Sequence, residues 1–368
     1  MATITTAASA SGTVSRTRLG VPKWVAISAL VLAVLPFVTQ VAALNPVFEV
    51  VSGMLGYDIT SDYAFLQFSL MMVFSVAVLG IVLLTGINGQ ISLGHGAFFA
   101  IGAYTAAILI DKSAAPVWAA VPAAAMACFV AGYGFGFPAL RLEGHYLALA
   151  TFALAVAVPQ MLKYRHFEGL TGGVQGINLV KPEAPFGLPV SPDRWMYLVV
   201  LVTAIVMFWL ARNLIHSRMG RAMMAIRDHG VAAEAMGIDV ARVKTITFGI
   251  SAMVTGVAGA LHAVIFEFIA PDSFRLELSI SLLVGAVVGG IATLPGAVIG
   301  GVFIQVVEKY ADAVTRDIAS AIHLPLQLEP WTIYGIMLIA LMYLMPTGMA
   351  GGIEALFARL GRRAKPPG

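Results

Sequence analysis

The sequence predicts an all-α, polytopic transmembrane helical bundle of about ten crossings, including short helices broken by glycine and proline. Three observations carry this. The 368 residues are 59% hydrophobic and 11% charged, with a mean hydropathy of +0.89, whereas a soluble domain holds about 25% charged residues. Uncharged runs of membrane-crossing length recur along the chain. Lys and Arg gather in a few loops between them, as the bias of basic residues to cytoplasmic loops would place them. No stretch is long and polar enough to make a soluble domain, so length does not translate into domain number.

Residues 1–23 are rich in Ala, Ser and Thr, and are expected to form a disordered cytoplasmic segment. Arg16, Arg18 and Lys23 precede the first apolar run, Trp24–Leu44. That run is longer than the apolar core of a signal peptide and reads as a retained first span, with a cleaved signal as the alternative. A transmembrane domain over 24–350 follows, and 351–368 make a cytoplasmic tail. The further uncharged runs are Tyr63–Leu84, Ile91–Ile110, Ala115–Leu140, Tyr146–Leu162, Met196–Ala211, Thr245–Phe266, Leu278–Val307 and Trp331–Ala350. A bilayer core takes about 20 helical residues. The run Leu278–Val307 holds 30 and is expected to split near Leu294-Pro295, because proline and glycine punctuate helices.

Charge agrees with this count. With the N-terminus inside, six crossings return Arg212, Arg218, Arg221, Arg227, Arg242 and Lys244 to the cytoplasm, and four more return Arg359, Arg362, Arg363 and Lys365. The loop Lys163–Trp195 is then extracytoplasmic, although it carries Lys163, Arg165, Lys181 and Arg194.

Several chemistries are excluded. The single cysteine, Cys128, permits no intrachain disulfide and no cysteine metal cluster. The patterns G-x-x-x-x-G-K-[ST], H-E-x-x-H and G-x-S-x-G are all missing, so no catalytic residue, cofactor or metal site is expected. The net charge of +3 reports topology rather than nucleic-acid binding. The apolar runs contain no acidic residue, whereas an ion-coupled carrier buries charge in its spans.

The stretch Leu84–Tyr104 sets Gly86, Gly89, Gly94, Gly96 and Gly102 among Asn88, Gln90, Ser92 and His95. Polar groups at membrane depth are costly unless they line protein or a watery path. A second glycine-broken segment, 285–301, lies in the other half of the chain, an arrangement that points to a route near the midplane and to an internal repeat. The candidate path residues are Asn88, Gly89, Gln90, Ser92, Gly94, His95, Gly96, Gly289, Gly290 and Thr293. His95 is either a substrate contact or a packed histidine. Gly285-x-x-x-Gly289 and Gly296-x-x-x-Gly300 also suit plain helix packing. Residues 217–239 differ in kind: charged, alanine-rich, helix-prone and closed by Gly237. They read as a solvated surface helix or as an element laid across a partner.

Four stretches in order resemble the M-type permease subunit of an ATP-binding-cassette importer for branched-chain amino acids. They are Gly86-Ile-Asn-Gly-Gln-Ile-Ser-Leu-Gly-His-Gly-Ala-Phe98 with Gly102-Ala-Tyr104; Arg141-Leu-Glu-Gly-His-Tyr-Leu-Ala-Leu-Ala-Thr151 with Leu170-Thr-Gly-Gly-Val-Gln-Gly176; the 217–239 loop with Lys244, Phe248, Ser251, Gly256 and Gly259; and Pro271-Asp-Ser-Phe274, Ser279 and Val288-Gly-Gly-Ile-Ala-Thr-Leu-Pro-Gly296. Pro295 within the glycine turn departs from the family pattern. The Leu-Thr-Gly-Gly-x-x-Gly stretch favours the M-type over the shorter H-type. The resemblance implies a multi-pass subunit of a bacterial or archaeal cytoplasmic membrane, set in the lipid bilayer beside an H-type permease or a second copy. It implies two ABC ATPase subunits and a soluble substrate-binding protein as partners. ATPase coupling falls, by the same resemblance, to Arg218, Gly220, Arg221, Ala225, Arg227, Glu234, Ala235 and Gly237. The same fold importing urea, short amides or aromatic acids is an alternative, as are a self-sufficient carrier or channel and a membrane scaffold.

Overall fold

The computed structural model describes residues 61–139, 145–184 and 190–322, with 335, 339, 343 and 348–352. The segment 1–23, the run Trp24–Leu44, Arg141–Gly144, most of Trp331–Ala350 and the tail beyond 352 lie outside those residues. The described part is helical almost throughout. Among the described residues, Asp62–Ile87, Val117–Phe137, Pro192–His216 and Val240–Phe266 are long and apolar enough to cross a membrane, and Tyr146–Leu162 and Leu294–Glu308 are shorter apolar helices.

Helix α1, Asp62–Ile81, starts where Ser61 Oγ accepts the Ala64 N–H at 3.2 Å and Asp62 complements the positive helix end. It runs on as a π-helical turn, Val82–Ile87. Helix α2 spans His95–Ser113, α3 Val117–Ala139 and α4 His145–Leu162. The expected span Ile91–Ile110 therefore becomes helix only at His95. A polar, glycine-dotted sequence leaves the preceding residues irregular.

Helix α5, Pro192–His216, leads into α6, Arg218–Ala235, and then α7, Val240–Phe266. Helix α8, Leu276–Gly289, and α9, Leu294–Ile322, divide the 30-residue run. The break falls at 290–293, earlier than Leu294-Pro295. Pro295 sits in the first turn of α9, where a missing N–H costs nothing. Besides the helices there is a two-residue antiparallel ladder, β1 Ile177–Asn178 with β2 Phe268–Ile269.

Helices α1 and α7 form the centre, each 83% buried over its apolar window, against 28% for α3 and α5. They run antiparallel, with Gly80 against Ser251 and Thr255. Helix α2 follows α7, meeting it where Gly102 abuts Gly256, and α3 descends the same face with Cys128 on Gly256 and Gly136 on Thr245. Close backbone approach of this kind is how helices gain packing energy where lipid offers no hydrophobic drive. Helices α8 and α9 form a hairpin, with Gly285 on Gly300, and α9 lies along α1, where Gln305 Nε2 donates to Gln67 Oε1 at 2.9 Å.

The two ends of the bundle differ. One carries α6. The other carries the β ladder and a set of ion pairs: Lys163–Asp272 at 2.6 Å, Lys181–Asp193 at 2.8 Å and Arg194–Asp62 at 2.8 Å. The Lys163 hydrogen bond holds the Asp272 carboxyl below its usual range. Three of the four basic residues in the 163–195 loop are thus matched by carboxylates.

Candidate functional site

The first break begins as the π-helical turn unwinds. Gly89 takes φ +76° and its N–H donates to Thr85 O at 3.2 Å, while the Gln90 N–H reaches Leu84 O at 3.1 Å. Thr85 Oγ1 donates back to Gln90 O at 2.9 Å. From there the chain runs without regular structure to α2. The Leu93 N–H donates to Thr151 Oγ1 at 2.9 Å, the Gly94 N–H to Ser92 Oγ at 3.2 Å, and the Gly96 N–H to Ser279 Oγ at 3.0 Å. Side-chain hydroxyls thus satisfy the backbone groups that a continuous helix would have paired internally.

The second break is compact. Gly290, at φ +118°, is a position that an L side chain would strain, and its N–H still reaches Ala286 O at 3.0 Å. Thr293 Oγ1 donates to Gly290 O at 3.2 Å and accepts the Gly296 N–H at 3.1 Å, so Thr293 caps α9.

The two breaks meet. A Cβ on Gly86 would land on the carbonyl of Ile291, and would stand 3.1 Å from Ala292 Cα. The candidate path residues nevertheless fall into two groups. Asn88, Gly89 and Gln90 leave the π-turn near this junction, as Gly289, Gly290 and Thr293 leave α8. Ser92, Gly94, His95 and Gly96 lie further along, with Thr151, Ser251 and Ser279. Ser279 and Gly289 are ten residues apart on α8, roughly 15 Å at 1.5 Å per residue.

Each polar candidate has a place. Gln90 Nε2 donates to Lys244 O at 3.2 Å. Asn88 is 2% exposed, and neither of its amide atoms has a partner among the described residues. His95 is buried, its Nε2 2.7 Å from Ser251 Oγ, and Ser251 Oγ donates to Gly80 O at 2.7 Å. With its proton spent on Gly80, the Ser251 oxygen accepts from His95, which assigns the Nε2–H tautomer. His95 therefore couples α2 to α7, and through Ser251 to α1.

Helix α6 lies at the junction end. Ser217 Oγ donates to Leu214 O at 2.6 Å and accepts the Gly220 N–H at 3.3 Å, closing a tight corner with α5. Gly220, Met223 and Ile226 are buried, while Arg218, Arg221, Glu234 and Ala235 are exposed and Ala225 half-buried. Arg221 Nη1 donates to His216 O at 3.3 Å. Arg227 Nη1 donates to Gly86 O at 2.9 Å, so the helix touches the first break directly. Non-helical backbone at His229 divides α6. Past it, Gly237 closes the helix at φ +86°, its N–H on Glu234 O at 2.9 Å and the Ile238 N–H on Ala233 O at 3.1 Å. Among the described residues, no other group stands within 4 Å of a Cβ at Gly237.

Over residues 63–346 the chain matches the family described as the permease component of the branched-chain amino acid transport system. The chain belongs to that family. Among curated proteins it is 32% identical to the high-affinity branched-chain amino acid transport system permease protein LivM of Escherichia coli (strain K12), over 61% of this chain and 58% of LivM. It is 28% identical to the permease protein BraD of Pseudomonas aeruginosa, over 76% of this chain and 92% of BraD. LivH of Escherichia coli (strain K12) follows at 25%, over 76% and 92%. The M-type resemblance agrees with the higher identity to LivM, although the match spans less than two thirds of LivM's length. No solved structure matches. This permease family member is thus an all-α, multi-pass membrane protein.

Sequence reasoning missed three features of this permease: the Arg227–Gly86 tie, the Lys244 carbonyl beneath Gln90, and the buried Gln67–Gln305 pair. Only the last had a signal, two glutamines inside apolar runs.

Proposed function

We propose that this chain is the transmembrane permease subunit of an ATP-binding-cassette importer, forming part of the path for branched-chain or related amino acids. A soluble binding protein delivers the ligand. A second permease, H-type or another copy, completes the path, and two ATPase subunits drive it, since this sequence has no phosphate-binding loop of its own. The observation that carries the reading is the contact of α6 with Gly86, where two interrupted helices meet. A surface helix laid on a discontinuity is suited to convert a partner's motion into rearrangement, and such a change needs contacts that differ between two states. Uptake of labelled leucine by proteoliposomes holding all subunits tests it. Transport should require both ATP and the binding protein. Uptake without either would mean a self-sufficient carrier, and a receptor that binds only urea or aromatic acids would move the ligand class.

The end bearing α6 is proposed to face the cytoplasm, with both termini. In a Cys128→Ser background, cysteines at Ala222 and Ala364 should react only with reagents that cross the membrane. Labelling of either by an impermeant reagent on intact cells would reverse the orientation.

The path is proposed to run past Asn88, Gly89, Gln90, Ser92, Gly94, His95, Gly96, Gly289, Gly290 and Thr293. Gln90→Ala frees the Lys244 carbonyl, and Thr293→Val removes a cap of about 1 kcal/mol. Each should raise the KM for uptake several-fold in the assembled complex. Wild-type kinetics in both variants would send the route elsewhere.

A further inference from the structure

Helix α6 has two halves with different surroundings. Up to Asp228 it is held by the bundle: Gly220 rests on the carbonyls of Leu214 and Ile215, and Met223 and Ile226 are buried. Beyond the non-helical His229 it stays seated through Ala233, which is buried, but projects most of its surface, with Val231 83% and Met236 84% exposed. The anchoring half ends in a specific contact. The Gly86 carbonyl lies at the end of the π-helical turn, where the last carbonyls of a helix lack internal partners. Arg227 Nη1 donates to it at 2.9 Å, and a cation there also suits the negative helix end. The Arg227 stem lies on Gly89, where a Cβ would stand 2.9 Å from Arg227 Cγ. Asp228 Oδ1 accepts from Arg227 Nε at 3.0 Å and fixes the plane of the guanidinium. The residue so capped, Gly86, is the one that meets Ile291 and Ala292 of the second break.

We infer that Arg227 is the positioning residue that carries displacement of the ATPase-docking helix to the junction of the two broken helices. The inference rests on the reading above, in which ATPase subunits dock on α6. Docking belongs to the projecting half. Transmission belongs to the Arg227–Gly86 tie, and from Gly86 the displacement passes by backbone contact to Ile291. A single Nη1–H bond between the coupling helix and a main-chain oxygen moves the turn itself rather than a flexible side chain.

The test uses the complete complex in proteoliposomes, with three readouts: ATPase subunits retained on purification, ATP hydrolysis, and leucine uptake per ATP hydrolysed. Arg227→Met keeps the stem and removes the donor. It should retain the ATPases while uptake per ATP falls about tenfold, within the usual range of coupling between sites. Arg242→Met removes a positive charge from the same end of the bundle and should keep the wild-type ratio. Asp228→Ala removes an exposed acceptor, so it decides the matter even if Arg227→Met fails to assemble. It should lower the ratio about threefold, the size of one hydrogen bond. A wild-type ratio in Arg227→Met, or in Asp228→Ala where the methionine variant does not assemble, overturns the inference. So does loss of the ATPases from Arg227→Met, because Arg227 would then act on the partner. The docking reading fails separately, if the ATPases are still retained after the projecting half is blocked at Gly237.

Discussion

Gly86→Leu is expected to abolish uptake by the assembled complex while leaving the subunit in the membrane. The reason is steric and local. Even a methyl at Gly86 would occupy the space of the Ile291 carbonyl, a main-chain group that cannot swing aside. Overpacking of this sort costs about 1–3 kcal/mol where the surroundings can yield, and a longer side chain forces the breaks apart. Gly86→Ala should therefore already cut uptake by about tenfold. Gly134→Ala supplies the contrast, since no group of the described residues stands within 4 Å of its added Cβ. It should transport normally. Transport is measured per assembled complex, so that failed assembly is not mistaken for a blocked junction. Wild-type uptake by Gly86→Leu would mean that the junction neither moves nor bounds the route.

The second large effect is expected at Gly237. Its φ of +86° strains any L side chain, at roughly 1–2 kcal/mol. Gly237→Ala and Gly237→Trp share that strain and differ in bulk, which projects into open space. The alanine variant should keep its ATPase subunits through purification. The tryptophan variant should lose them, with affinity weakened by about tenfold or more, as expected when bulk is forced into the middle of an interface. Membrane insertion should be unchanged in both, because the residue lies outside the apolar helices. Equal ATPase retention in the two variants would remove the docking role from the end of α6.

The helix-prone stretch 217–239 and its glycine stop could be read from sequence because capping is a local property. The N-cap Ser217 and the left-handed Gly237 lie within the segment they terminate. The break at His229 was not read, although Gly230 beside it is the kind of residue that weakens a helix, because an isolated glycine is equally tolerated within one. The glycine-broken segments were also legible as interruptions, but their edges were not. Pro295 marked the second break because proline punctuates helices, yet a proline is equally at home in a first helical turn, and Thr293 supplies the cap that begins α9. Basic residues in the 163–195 loop looked misplaced by the charge rule. Their carboxylate partners, Asp62, Asp193 and Asp272, are far enough away in sequence for two of the three pairs that only the fold brings them together.

Composition and run length determine that this chain is a helical membrane protein, because a bilayer admits few ways to satisfy a backbone and the number of apolar residues in a row is a one-dimensional quantity. The order of its motifs resembles that of the permease family to which it belongs. The work of each polar residue is not one-dimensional. His95 meets Ser251 across 156 positions, Gln90 meets Lys244 across 154, and Arg227 meets Gly86 across 141. A polar side chain in an apolar run must find a partner, but the sequence does not state which backbone will be within 3 Å. Helix packing answers that, through glycines that let α1, α7, α8 and α9 approach until a carbonyl on one element lies within reach of a donor on another.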